Sequence, residues 1–105
     1  ANIFFVDKSE SELHTPLPDN FLDGITRRTI IDLAKTLNIK VIERKIKLDE
    51  LKNFSGCFLT GTAAEVTPVS KINDYNFKIP KVINQLWDNY SSLVRTKKVL
   101  NQSIA

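Results

Sequence analysis

Two stretches of the chain repeat apolar residues at helical spacing. In the first, Ile30, Ile31, Leu33, Ala34 and Leu37 recur through Thr26–Leu37, while Arg27, Arg28, Asp32 and Lys35 fall mostly on the opposite face. Asn38 is a natural C-terminal residue for it, since asparagine tolerates the left-handed conformation. In the second, Val82, Ile83, Leu86, Trp87, Tyr90, Leu93 and Val94 form one stripe behind Pro80, a favourable first-turn residue. This stripe predicts a core-facing helix with Trp87 buried. From Thr96 the amphipathic pattern weakens, so 96–105 reads as a tail.

The other runs read as strands. Asn2–Asp7 is rich in β-favouring Ile, Phe and Val, and Leu13-His14-Thr15 returns antiparallel to it after the polar turn Lys8–Glu12. Pro16 and Pro18 end that hairpin. Val41–Ile46 alternates apolar and charged residues, and Asp49–Asn53 makes a helical turn. Cys57–Thr60 is a short apolar strand. Glu65–Ile72 and Tyr75–Phe77 read as a hairpin turned at Asn73-Asp74. The order β-β-α-β-β-β-β-α predicts an α/β domain with a mixed, curved sheet and two main helices.

Composition narrows the function classes. A chain of 105 residues holds one core, and a net charge of +3 with interspersed acids gives no footprint for nucleic acid. No apolar run reaches the roughly 20 residues that span a bilayer. A single cysteine, Cys57, excludes an internal disulfide framework and fits a cytoplasmic setting. Beside Phe58 and Leu59 it reads as a buried small hydrophobe. His14 has no metal-ligand spacing, and Asp23 and Glu65 lack partners at diagnostic spacing. The chain has no methionine and opens in the apolar run Ile3–Val6, which reads as a boundary inside a longer protein.

Two junctions carry candidate chemistry. At Leu22-Asp23-Gly24-Ile25-Thr26-Arg27 a glycine opens into a helix, where backbone N–H groups and the helix dipole can seat a phosphate. Gly24 would let the backbone approach closely, and Thr26 would add a hydroxyl or cap the helix. At Thr60-Gly61-Thr62-Ala63-Ala64 small residues after a strand leave main-chain amides accessible, with the Thr62 hydroxyl beside them. The bland alternatives are a plain turn with a helix cap, and a tight turn between strands.

These junctions lie within a broader resemblance. Asn2-Ile3-Phe4, Leu13-His14-Thr15 and Leu22-Asp23-Gly24-Ile25-Thr26-Arg27, separated by residues 5–12 and 16–21, resemble the class IV aminotransferase signature. The glutamate that opens the signature would precede Ala1. Phe58 to Val69 is similar to a second block of the branched-chain members, in which Gly61-Thr62-Ala63-Ala64 discriminates best. The resemblance implies that residues 1–95 form the C-terminal, cofactor-binding domain of a fold-type IV enzyme. That enzyme uses pyridoxal 5′-phosphate to move the amino group of leucine, isoleucine or valine to 2-oxoglutarate.

Under the resemblance, the cofactor is held by Leu22 against the ring and by Gly24, Ile25, Thr26 and Thr62 at the phosphate. Gly61, Thr62 and Ala63 correspond to the loop whose amides hold the substrate carboxylate. The Schiff-base lysine and the glutamate facing the pyridine nitrogen lie upstream in the family, so no catalytic residue is expected here and the chain is expected to be inactive alone. The implied partners are branched-chain amino acids, 2-oxo acids, the N-terminal half and further copies in a homo-oligomer, with no nucleic acid or membrane. A D-amino acid aminotransferase or aminodeoxychorismate lyase is the alternative within the family. A non-enzymatic anion-binding or scaffold domain is the alternative outside it.

Overall fold

The computed structural model describes residues 2–17, 24–61 and 65–104, with the side chains of 25, 65 and 95–104 excepted. Strands β1 (Asn2–Asp7), β2 (Glu12–Thr15), β3 (Lys40–Glu43), β4 (Phe54–Gly61) and β5 (Glu65–Pro68) form one sheet in the order β3-β2-β1-β4-β5. β1 pairs antiparallel with both β2 and β4, β4 pairs antiparallel with β5, and β2 pairs parallel with β3. The parallel step needs a crossover, which helix α1 (Ile25–Thr36) supplies. The sheet is therefore mixed, as the sequence implied.

Both faces of the sheet are covered. On one, Phe4, Val6, Leu13, Phe58 and Val66 meet Ile30 and Ala34 of α1 and Val82, Ile83 and Leu86 of helix α2 (Lys81–Ile104). Phe4 and Phe58, directly opposite across β1 and β4, stack with ring centres 5.1 Å apart. On the other face, Phe5, Phe54, Cys57 and Phe77 pack with Leu51 of the 3-10 turn Leu48–Asn53. A two-stranded hairpin of β6 (Lys71–Ile72) and β7 (Tyr75–Asn76) adds Ile72 and Tyr75 to that layer.

The end of α1 is a six-to-one, five-to-two capping motif. Asn38 adopts φ 61, its N–H donates to the Lys35 carbonyl at 3.0 Å, and the Ile39 N–H donates to the Ala34 carbonyl at 2.8 Å. Ile39 is buried against the same core, so the cap and the packing reinforce each other.

Four expectations are corrected. The arm 65–72 is not one strand: Glu65–Pro68 joins β4 in the main sheet, and only Lys71–Ile72 pairs with Tyr75–Asn76. The third strand stops at Glu43 rather than Ile46, where the chain leaves the sheet edge. Trp87 is 38% exposed, because Val82, Ile83 and Leu86 face the sheet and Trp87 sits at the edge of that stripe. Arg27 is the reverse case. The apolar spacing groups it with the mostly outward-facing polar residues, yet it is 1% exposed, since position 27 lies one helical turn before Ile30 and Ile31 on the inward side.

Candidate functional site

The start of α1 has the features of an anion seat. Gly24 is the N-cap residue, with φ −69 and ψ 160, and its carbonyl accepts the N–H of Arg28 at 3.1 Å, the first bond of the helix. The N–H groups of Ile25 and Thr26 precede that bond and have no acceptor within the helix. No acidic side chain occupies the first turn, so nothing in the helix itself competes for the positive end of its dipole. Thr26 is the second residue of the helix and not its cap, which corrects that alternative. Neither backbone conformation nor crowding demands glycine at 24, because an added Cβ would meet only Asn2 Nδ2, at 3.8 Å.

Arg27 fixes this helix start in place. Its Nη2 donates to the Pro16 carbonyl at 3.1 Å and lies 2.9 Å from Glu43 Oε1. The guanidinium thereby ties α1 to the end of β2 and to the edge strand β3. Sequence reasoning missed this role, and the available signal was its phase with Ile30, Ile31 and Ala34.

The second junction is the end of β4. Thr60 is opposite Asn2 across the β1–β4 ladder, and Gly61 is opposite Glu65. Alternation along β4 puts Thr60 on the helix-covered face with Phe58. Asn2 thus neighbours both junctions: it pairs with Thr60, and its side-chain amide lies beside Gly24. α1 packs directly on β4. Of the residues singled out from sequence, Gly24 and Thr26 start the helix beside Asn2, and Gly61 follows Thr60, the strand partner of Asn2, at the end of β4. Leu22, Thr62 and Ala63 lie outside the described residues, as do Asp23 and the side chains of Ile25 and Glu65.

The remaining candidates are structural. Burial pushes the Cys57 thiol up to about 12, which removes it as a nucleophile at neutral pH. His14 accepts the Arg44 Nε–H at Nδ1 over 3.1 Å, and its Nε2 faces Glu12 Oε1 at 3.1 Å. Arg44 in turn pairs with Glu50 at 2.9 Å. No group of three metal-ligating side chains occurs among the described residues. No described helix is long and apolar enough to cross a membrane.

The Amino-transferase class IV family matches residues 1–72, well over half of the chain. The chain belongs to that family. Among class IV relatives, it is 45% identical over 99 residues to a protein named probable branched-chain-amino-acid aminotransferase from Rickettsia felis, covering 90% of this chain and 33% of that protein. Its fold superposes with TM-score 0.84 on a mutant branched-chain amino acid aminotransferase from Thermobaculum terrenum, at 35% identity, over 92% of this chain and 33% of the other. It superposes with TM-score 0.80 on an aminotransferase from Brucella abortus bound to the cofactor PLP, at 26% identity, over 89% and 33% of the two chains. The class IV chain described here therefore spans about a third of the length of these proteins.

Proposed function

We propose that this chain forms the phosphate-binding side of a branched-chain amino acid aminotransferase. Its substrates would be leucine, isoleucine or valine with 2-oxoglutarate as acceptor. The relatives and neighbours that support the reading carry the branched-chain name, which favours it over the D-amino acid and lyase alternatives. The single observation that carries the site assignment is the meeting of the α1 start and the β4 end around Asn2.

The residues present fit a phosphorylated cofactor. Two helix-start amides without intrahelical acceptors, a first turn free of carboxylates and a glycine that crowds nothing together suit a dianion. Pyridoxal phosphate, when bound, supplies the electron sink for the bond changes at the amino carbon. In this reading the amides of Ile25 and Thr26 and the Thr62 hydroxyl hold the phosphate. Gly24 leaves the approach open, and Leu22 packs on the ring. The Gly61-Thr62-Ala63 loop orients the substrate carboxylate through its amides. None of these groups moves a proton at the reacting carbon; their work is binding and orientation.

The test is Thr62→Val in the complete enzyme, which keeps the shape and removes the hydroxyl. Affinity for pyridoxal phosphate should fall about ten- to a hundredfold, the worth of one hydrogen bond to a charged group. Affinity for pyridoxal, which lacks the phosphate, should not change. Equal loss for both ligands would mean that the hydroxyl serves the fold rather than the phosphate.

A further inference from the structure

One polar group at this junction is left without a role by the assignment above. Thr60 is 0% exposed, and its Oγ1 meets no hydrogen-bond partner among the described residues. Thr15, also fully buried, shows what the fold provides when a hydroxyl is purely structural: its Oγ1 donates to the Ile3 carbonyl at 2.7 Å. Burying a hydroxyl without a partner is unfavourable, so such a group in a folded chain calls for a reason. The position supplies one. Thr60 faces the helix-covered side, opposite Asn2, whose side-chain amide lies beside Gly24, and it is next to Gly61.

We propose that Thr60 is a further anion-binding residue of this chain. Its hydroxyl takes its hydrogen bond when an anion is seated at the start of α1, and goes without one when the seat is empty. The inference rests on the phosphate-seat reading and extends it from the turn after β4 into the strand itself. It assigns β4 a donor two residues before Thr62 in the sequence. The anion class is a phosphate monoester or inorganic phosphate.

The linkage gives the experiment. Wild type, Thr60→Val, Thr60→Ser and Thr62→Val chains are melted with and without inorganic phosphate, and phosphate affinity is taken from the melting shift. Thr60→Val should melt no lower than wild type without phosphate, because it replaces an unbonded buried hydroxyl by a methyl of the same shape. It should bind phosphate about ten- to a hundredfold more weakly. Thr60→Ser should keep the wild-type affinity. A Thr60→Val chain that melts lower without phosphate, or fails to fold, shows a hydroxyl satisfied within the chain and overturns the proposal. So does a Thr60→Val chain that binds phosphate like wild type, or a Thr60→Ser chain that binds as weakly as valine. If phosphate stabilises wild type and Thr62→Val loses the effect while Thr60→Val keeps it, the seat stands and the Thr60 role falls. If phosphate does not stabilise wild type, the seat itself falls.

Discussion

Asp7 shows how one side chain organises a turn. Its Oδ1 accepts the N–H groups of Ser11 at 2.9 Å and Glu12 at 3.0 Å, its Oδ2 faces the Ser9 and Ser11 hydroxyls, and Glu10 is thereby held at φ 58. Partial burial pushes the Asp7 carboxyl upward, but the hydrogen bonds from Ser9, Glu12 and Ser11 together outweigh it and hold the group below its ordinary 3.8. A carboxyl depressed in the folded state contributes stability above its unfolded value and loses it as pH falls through the folded value. Asp7→Asn should therefore cost about 1 kcal/mol at pH 6, a small figure because the turn is largely solvated. The difference from wild type should shrink below about pH 4, as denaturant titrations at the two pH values would show. Gly56 sets a steric limit of another kind. A Cβ there would lie 2.5 Å from Pro80 Cδ and 3.2 Å from Ile83 Cδ1, where the proline ring opens α2 and cannot swing away. Gly56→Ala should destabilise by about 1–3 kcal/mol, read by denaturant unfolding, as an overpacked core contact does.

At the scale of elements, the cap of α1 is the feature most fully written in local sequence. Asn38 follows the last apolar position of the stripe, adopts the left-handed conformation, and lets Ile39 turn back into the core. Asn38→Ala should cost about 1 kcal/mol, whereas Asn38→Gly should leave stability within a few tenths, a contrast that thermal unfolding of the two variants would reveal. Both helices and the β1–β2 hairpin were legible because their apolar spacing is a property of the segment itself. The arm 65–72 was not, because its partner changes midway. Val66 joins the helix-side core, Pro68 is the last residue paired to β4, and Ile72 belongs to the opposite layer. Alternation reads the same whichever strand receives it. Trp87 and Arg27 failed for a related reason: a stripe gives a direction, and its edges are decided by what the helix packs on.

At the scale of the whole molecule, each junction was legible by itself, as a glycine before a helix and small residues after a strand. Their meeting is implied by the resemblance and not by local spacing, because it depends on β1 lying between β2 and β4 so that Asn2 neighbours both. The parallel pairing of β2 with β3 was equally hidden, and it carries α1 across the sheet to that end. The fold offers an anion another basic surface, a groove of about 720 Å³ between α1 and β3 lined by Arg28, Lys35, Asp32 and Glu43, whose carboxylates oppose binding. The central claim is that the α1 start and the β4 end act as one seat. The measurement that tests it most directly is an amide NMR titration of the chain with pyridoxamine 5′-phosphate. The account predicts that the Ile25, Thr26 and Thr62 resonances move together along one binding curve, while Arg28 and Lys35 stay still. Movement confined to Arg28 and Lys35, or separate curves for Thr26 and Thr62, would contradict it.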